Sequence, residues 1–61
     1  MTKKLIARVL AGEIVDTKNY RYITKTVSTL DGQYETIIRL PIGDLGTTAA
    51  LNGWETVWSA K

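Results

Sequence analysis

The sequence predicts an α+β fold, mostly β, built on a small antiparallel sheet with one short helix. β-branched and aromatic residues dominate the segments 20–28 and 34–40, and an Asp-Gly pair at 31–32 lies between them. Asp and Gly both tolerate the positive φ of a two-residue hairpin turn, so the two segments are predicted to pair. We expect a three-stranded meander, a helix at about 44–51 and a C-terminal strand at 54–59.

The first element, residues 4–11, is predicted to be a strand. Its apolar residues alternate imperfectly, and Ile14-Val15 continues the pattern beyond a bend or bulge at Gly12. Leu, Ala, Lys and Arg are good helix formers, so a helix over 3–11 is the alternative. The strand is preferred because we find no strong N-cap signal for a helix.

The Asp31-Gly32 turn determines which side chains share a face of the sheet. With these two residues as the loop, Thr29 pairs with Tyr34, and the ladder ends at Pro41, which has no backbone N–H. The face with more apolar mass is predicted to be the core face and carries Ile23, Val27, Tyr34, Ile38 and Leu40. The other face is predicted to be exposed and carries Tyr22, Thr24, Thr26, Ser28, Glu35, Ile37 and Arg39.

The last third of the chain allows three interpretations. The preferred one is the helix near 44–51, capped by Asp44 and ended by Asn52-Gly53, before the strand at 54–59. The alternative is a second hairpin with its turn at Asn52-Gly53, which would give an all-β, five-stranded small barrel. A single helix running to the C-terminus is least favoured because Gly53 would lie in its middle.

Composition excludes several kinds of function. The chain has 61 residues, which predicts a single domain over 1–61 with a small core. It contains no Cys and no His, so disulfides and triad-type nucleophilic catalysis are excluded. The acidic residues are scattered along the chain, and no metal site is predicted. We therefore expect a protein that is not an enzyme and has no catalytic residue, no cofactor and no small-molecule substrate.

Charge and hydropathy patterning predict the compartment. The net charge of +2 is small for a protein that binds nucleic acid through phosphates. The N-terminal segment starts like a signal peptide, but Arg8 and Glu13 interrupt its apolar run. No stretch is long enough to cross a bilayer. We therefore expect a cytoplasmic protein with no membrane partner.

The expected function is that of a small non-catalytic binding module that acts through protein–protein interaction, with itself as a homodimer and with another protein. A small sheet has open edges and few buried residues, which favours self-association. Nucleic-acid binding through a basic, aromatic sheet face is the first alternative, and a structural or assembly subunit is the second. Trp54 is expected in the core and Trp58 at an interface. The candidate binding residues are Tyr20, Arg21, Tyr22, Lys25, Ile37, Arg39 and Trp58.

One segment resembles a known family. The run Thr36-Ile37-Ile38-Arg39-Leu40-Pro41, with the possible helix and closing strand after it, is similar to the strand–proline–helix–strand run of swapped-hairpin DNA-binding antitoxins and transition-state regulators. The resemblance covers only part of the chain. The long hairpin before this run and the weak helix after it depart from that family's pattern. The resemblance implies DNA binding, which corresponds to the nucleic-acid alternative.

Overall fold

The computed structural model describes residues 1–61 and shows a four-stranded antiparallel sheet with strand order β1-β2-β3-β4. The sheet is open rather than closed into a barrel, so the predicted α+β, mostly β class is confirmed. The elements in chain order are α1 (Lys3–Leu10), β1 (Val15–Asp16), β2 (Tyr20–Thr29), β3 (Gly32–Pro41), a 3₁₀ turn (Ile42–Asp44), α2 (Ala49–Asn52) and β4 (Glu55–Ser59).

The N-terminal segment is a helix, and the strand predicted over 4–11 is wrong. The Thr2 hydroxyl caps α1 by accepting a hydrogen bond of 3.1 Å from the Leu5 N–H. At the other end, Gly12 has a φ of 99° and donates its N–H to the Val9 carbonyl, while the Glu13 N–H reaches the Arg8 carbonyl. These two bonds form a Schellman motif, which satisfies carbonyls that the end of a helix leaves free. Gly12 therefore ends a helix and does not bend a strand.

Helix α1 packs its apolar side against the sheet. Val9 is fully buried, and Leu5 and Ile6 pack against the same cluster. These positions are spaced as one face of a helix, whereas Lys4 and Arg8 lie on the exposed side. We call the side of the sheet covered by α1 the helix face and the other side the opposite face.

The β2–β3 hairpin forms as predicted, but its register differs by two residues. Thr29 pairs with Gly32, so Leu30 and Asp31 occupy the loop. Gly32 has a φ of 127°, whereas no non-glycine residue has a positive φ. The turn therefore keeps negative φ at its central residues and places glycine after them, unlike the predicted Asp31-Gly32 turn, which needs positive φ at both. Because a two-residue offset preserves the alternation, every side chain stays on its predicted face.

Both faces of the sheet are buried near its middle, which corrects the expectation of a single core face. The cluster on the helix face contains Val9, Val15, Tyr22 and Ile37, so Tyr22 and Ile37, expected on an exposed face, belong to the core. On the opposite face, Thr36, Ile38 and Leu40 are also buried, as expected for Ile38 and Leu40. Central residues of β3 are therefore buried on both faces of the sheet.

The C-terminal third follows the preferred interpretation in outline. A short helix precedes a strand, but the helix predicted at 44–51 is divided into the 3₁₀ turn and α2. The half-buried Trp54 donates its indole N–H to the Ala50 carbonyl at 2.8 Å, which joins α2 to the start of β4. Strand β4 pairs with β3 and contains an irregularity opposite Ile37 and Ile38. Neither helix combines the length and apolar character that crossing a bilayer requires.

Candidate binding surfaces

The seven candidate binding residues are divided between the two faces of the sheet. Arg21 and Lys25 have the parity of the opposite face because they alternate with Tyr22 along β2. The remaining five lie on the helix face and are Tyr20, Tyr22, Ile37, Arg39 and Trp58. Tyr22 and Ile37 are buried, and Trp58 is half-buried against the core cluster. The structure therefore does not gather the seven into one exposed surface.

Arg39 is engaged within the fold. Its guanidinium carbon lies 4.1 Å from the centroid of the Tyr20 ring, a cation–π geometry. Its terminal nitrogen reaches the Glu55 carboxylate of β4 at 3.5 Å. The Nε atom of Arg39 is buried without a hydrogen-bond partner. The side chain therefore packs across Tyr20 between two strands and offers only part of its charge to a ligand.

Arg21 is paired with the carboxylate of Asp16, its neighbour across the β1–β2 ladder. Two parallel bonds join them, Nε to Oδ1 at 2.7 Å and a terminal nitrogen to Oδ2 at 2.9 Å. The hydrogen bonding from Arg21 lowers the pKa of Asp16. Arg8 and Glu13 form a similar pair at the end of α1, at 3.0 Å, which lowers the pKa of Glu13. The positive charges of Arg8 and Arg21 are thus each balanced by a neighbouring carboxylate, and this weakens their attraction to phosphates.

A shallow open cavity lies beside the hairpin tip. Its volume is about 240 Å³, and Thr29, Asp31, Tyr34 and Lys61 contribute to its lining. The Lys61 ammonium lies 5.4 Å from the centroid of the Tyr34 ring. This volume is below the range of about 300–1,000 Å³ that is usual for small-molecule sites. No group of three or more acidic residues capable of holding a metal ion is present.

The outer part of the β2–β3 hairpin projects beyond the other strands, a feature that sequence reasoning missed. Strand β1 pairs only with Arg21 and Tyr22, and β4 pairs with residues 36–39. Residues 24–34, which we call the hairpin arm, therefore pair with neither β1 nor β4. Their backbone is open along 24–29 on the β2 side and along 32–34 on the β3 side, where β4 ends near Glu35. Leu30 at its tip is fully exposed. The lengths of β1 and β4 create the arm, and a single-sequence pattern locates strand ends poorly.

Glu35 holds the two strands of the arm together at its base. Its carboxylate accepts hydrogen bonds from the hydroxyls of Thr24 at 2.8 Å and Thr26 at 2.5 Å. On the opposite face, the Thr36 hydroxyl donates to the Lys25 carbonyl at 2.9 Å. The bonds from Thr26 and then Thr24 lower the pKa of Glu35. Cross-strand bonds of this kind keep the arm extended as a regular ribbon.

Acidification is expected to remove the contribution of Glu35 to stability. Because its pKa is lower in the folded chain, the carboxylate stabilises the fold above its unfolded pKa of about 4.3, and this contribution disappears as the pH falls through the lowered value. Glu35→Gln should therefore lower the urea midpoint near pH 7 and have little effect near about pH 2. An equal deficit at both pH values would show that the ionised carboxylate is not responsible.

Comparison of the chain with protein-family models, with curated proteins and with solved structures found no match. The partial resemblance of residues 36–41 to DNA-binding regulators gains no support from these comparisons. What remains distinctive is the hairpin arm with its open edges.

Proposed function

We propose that the chain is a small non-catalytic binding module that acts through protein–protein interaction, with a homodimer as its working form. The observation that carries this proposal is the hairpin arm, residues 24–34, which no neighbouring strand covers. An antiparallel ribbon with open edges offers rows of backbone N–H and C=O groups to another strand. A protein chain can satisfy these groups, whereas an isolated small molecule or a phosphate cannot pair with them in register.

The arrangement of charge favours protein over nucleic acid as the partner. Arg21 and Arg39 lie on different faces, and each is in contact with an acidic residue. Tyr22 is buried, so it offers no stacking surface to a base. The arm itself carries Lys25 and Asp31, with exposed Leu30 at the tip. Short-range backbone pairing and apolar contact therefore suit this surface better than attraction to phosphates.

Sedimentation equilibrium over a wide range of protein concentration tests this function. We expect the mass to approach twice that of the single chain as concentration rises, with little change on raising the salt concentration, because backbone hydrogen bonds are not screened like surface charges. A single-chain mass at the highest concentration would contradict the homodimer. A mass that grows without limit would instead support the assembly-subunit alternative, since strand pairing that does not close produces open filaments.

A further inference from the structure

We propose that two copies of this chain pair through the outer edge of β2, antiparallel, with Thr26 on the two-fold axis. This inference rests on the proposed homodimer and specifies where its interface lies. The edge consists of residues 24–29, which lie beyond the reach of β1. It is regular and contains no proline, glycine or bulge. Strand β4 is a weaker edge because it is short and irregular.

The direction of the free backbone groups follows from bonds at the start of β2. The Tyr20 carbonyl accepts a bond of 2.8 Å from the Thr17 N–H, on the side away from β3. Successive residues of a strand direct their backbone groups to alternate sides. The N–H and C=O groups of Thr24, Thr26 and Ser28 therefore point outward. Two copies related by a two-fold axis can exchange bonds through all three residues only when Thr26 lies on that axis.

This register also suits the side chains. Thr24 of one copy lies opposite Ser28 of the other, and Lys25 lies opposite Val27. A shift that placed Lys25 opposite Lys25 would bring like charges together, which destabilises a sheet. The register centred on Thr26 therefore gives the most backbone bonds and avoids this repulsion.

Exposed apolar side chains at each end of the edge provide a second argument for a second copy as the partner. Leu30 is fully exposed and Ile14, just before β1, is 65% exposed. With Thr26 on the axis, Leu30 of one copy reaches the level of Tyr22 in the other, where Val15 of β1 already occupies the edge, so the ladder between copies ends at the Thr24–Ser28 pair and the tip turns against β1. The tip of each copy thus ends beside Ile14-Val15 of the other. Pairing would cover two apolar side chains that the single chain leaves in water.

Single cysteines test the register directly because the chain has no native cysteine. Thr26→Cys should form a disulfide-linked dimer under mild oxidation, since directly paired residues have Cα atoms about 5.5 Å apart, within disulfide range. Thr24→Cys is the matched control, because it also loses a bond to Glu35. Its two copies would lie about 14 Å apart along the strands and should not link. A mixture of Thr24→Cys and Ser28→Cys should link to each other.

Amide hydrogen exchange of the unmodified chain provides a second measurement that needs no substitution. The N–H groups of Thr24, Thr26 and Ser28 should lose their rapid exchange as concentration rises, whereas the N–H of Gln33, on the other edge of the arm, should remain fast. A dimer by sedimentation that shows neither the linkage nor this protection would place the interface elsewhere and overturn this inference alone. A chain that stays single at every concentration would overturn the homodimer as well.

Discussion

Val9→Asp is expected to detach α1 from the sheet and to unfold most of the chain. Val9 is 0% exposed and lies at the centre of the cluster with Val15, Tyr22 and Ile37. A carboxylate there would be buried without a partner, which costs about 4 kcal/mol or more. A chain of this length has a total stability of about 3–9 kcal/mol at the usual value per residue. Urea unfolding followed by circular dichroism measures the loss.

Ala7→Asp is the control for this substitution. Ala7 lies in the same helix two residues earlier and is exposed, so Ala7→Asp loses more helix propensity than Val9→Asp, at most about 0.7 kcal/mol, but buries no charge. We expect its urea midpoint to stay close to that of the unmodified chain. Equal midpoints for Val9→Asp and Ala7→Asp would show that α1 does not pack on the sheet.

Ile37→Ala is expected to have the next largest effect, a loss of about 2–5 kcal/mol in the free energy of unfolding. Ile37 is 0% exposed, and its removal would leave a cavity between α1 and the central strand β3. The control is Leu51→Ala on α2, where the side chain is 84% exposed, and the change should be within about 0.5 kcal/mol. Urea denaturation at one protein concentration compares the two variants.

The same variant separates a core role from a binding role for Ile37. A core residue should lower stability and leave the register of any dimer unchanged in those chains that remain folded. A binding residue should weaken association while leaving the urea midpoint of the single chain intact. The burial of Ile37 leads us to expect the first result.

Local residues predict some features of the β2–β3 hairpin and leave others open. The Asp-Gly pair between two β-rich segments correctly places β2 and β3 and their antiparallel pairing. The pair does not determine which two residues form the loop. Gly32 could be the second residue of a loop whose two residues both have positive φ, or it could be the single residue with positive φ that follows a loop of negative φ. The observed φ of Gly32 belongs to the second kind. The predicted assignment of side chains to the two faces is still correct, because the register differs by an even number of residues.

At the N-terminus the predicted strand is wrong although local residues indicate a helix. Thr2 and Gly12 are the cap and the terminator of α1, and both signals are present in the sequence. The short apolar run between them also fits the imperfect alternation of a strand, so its hydrophobic period alone does not distinguish a helix from a strand. Packing of Val9 into the cluster shows which pattern is used. Once α1 covers the sheet, Tyr22 and Ile37 change from an expected surface to part of the core.

The sequence by itself determines the class of fold, the central hairpin, the closing strand and the absence of Cys and His chemistry. These follow from composition and from turn residues, which act over a few positions. Only the tertiary structure decides which face α1 covers, where Arg21 and Arg39 find their partners and how much of β2 remains open. Such features depend on contacts between segments distant in the chain, and on the point at which β1 stops. The open edge of β2, from which we infer self-pairing about Thr26, is one of them.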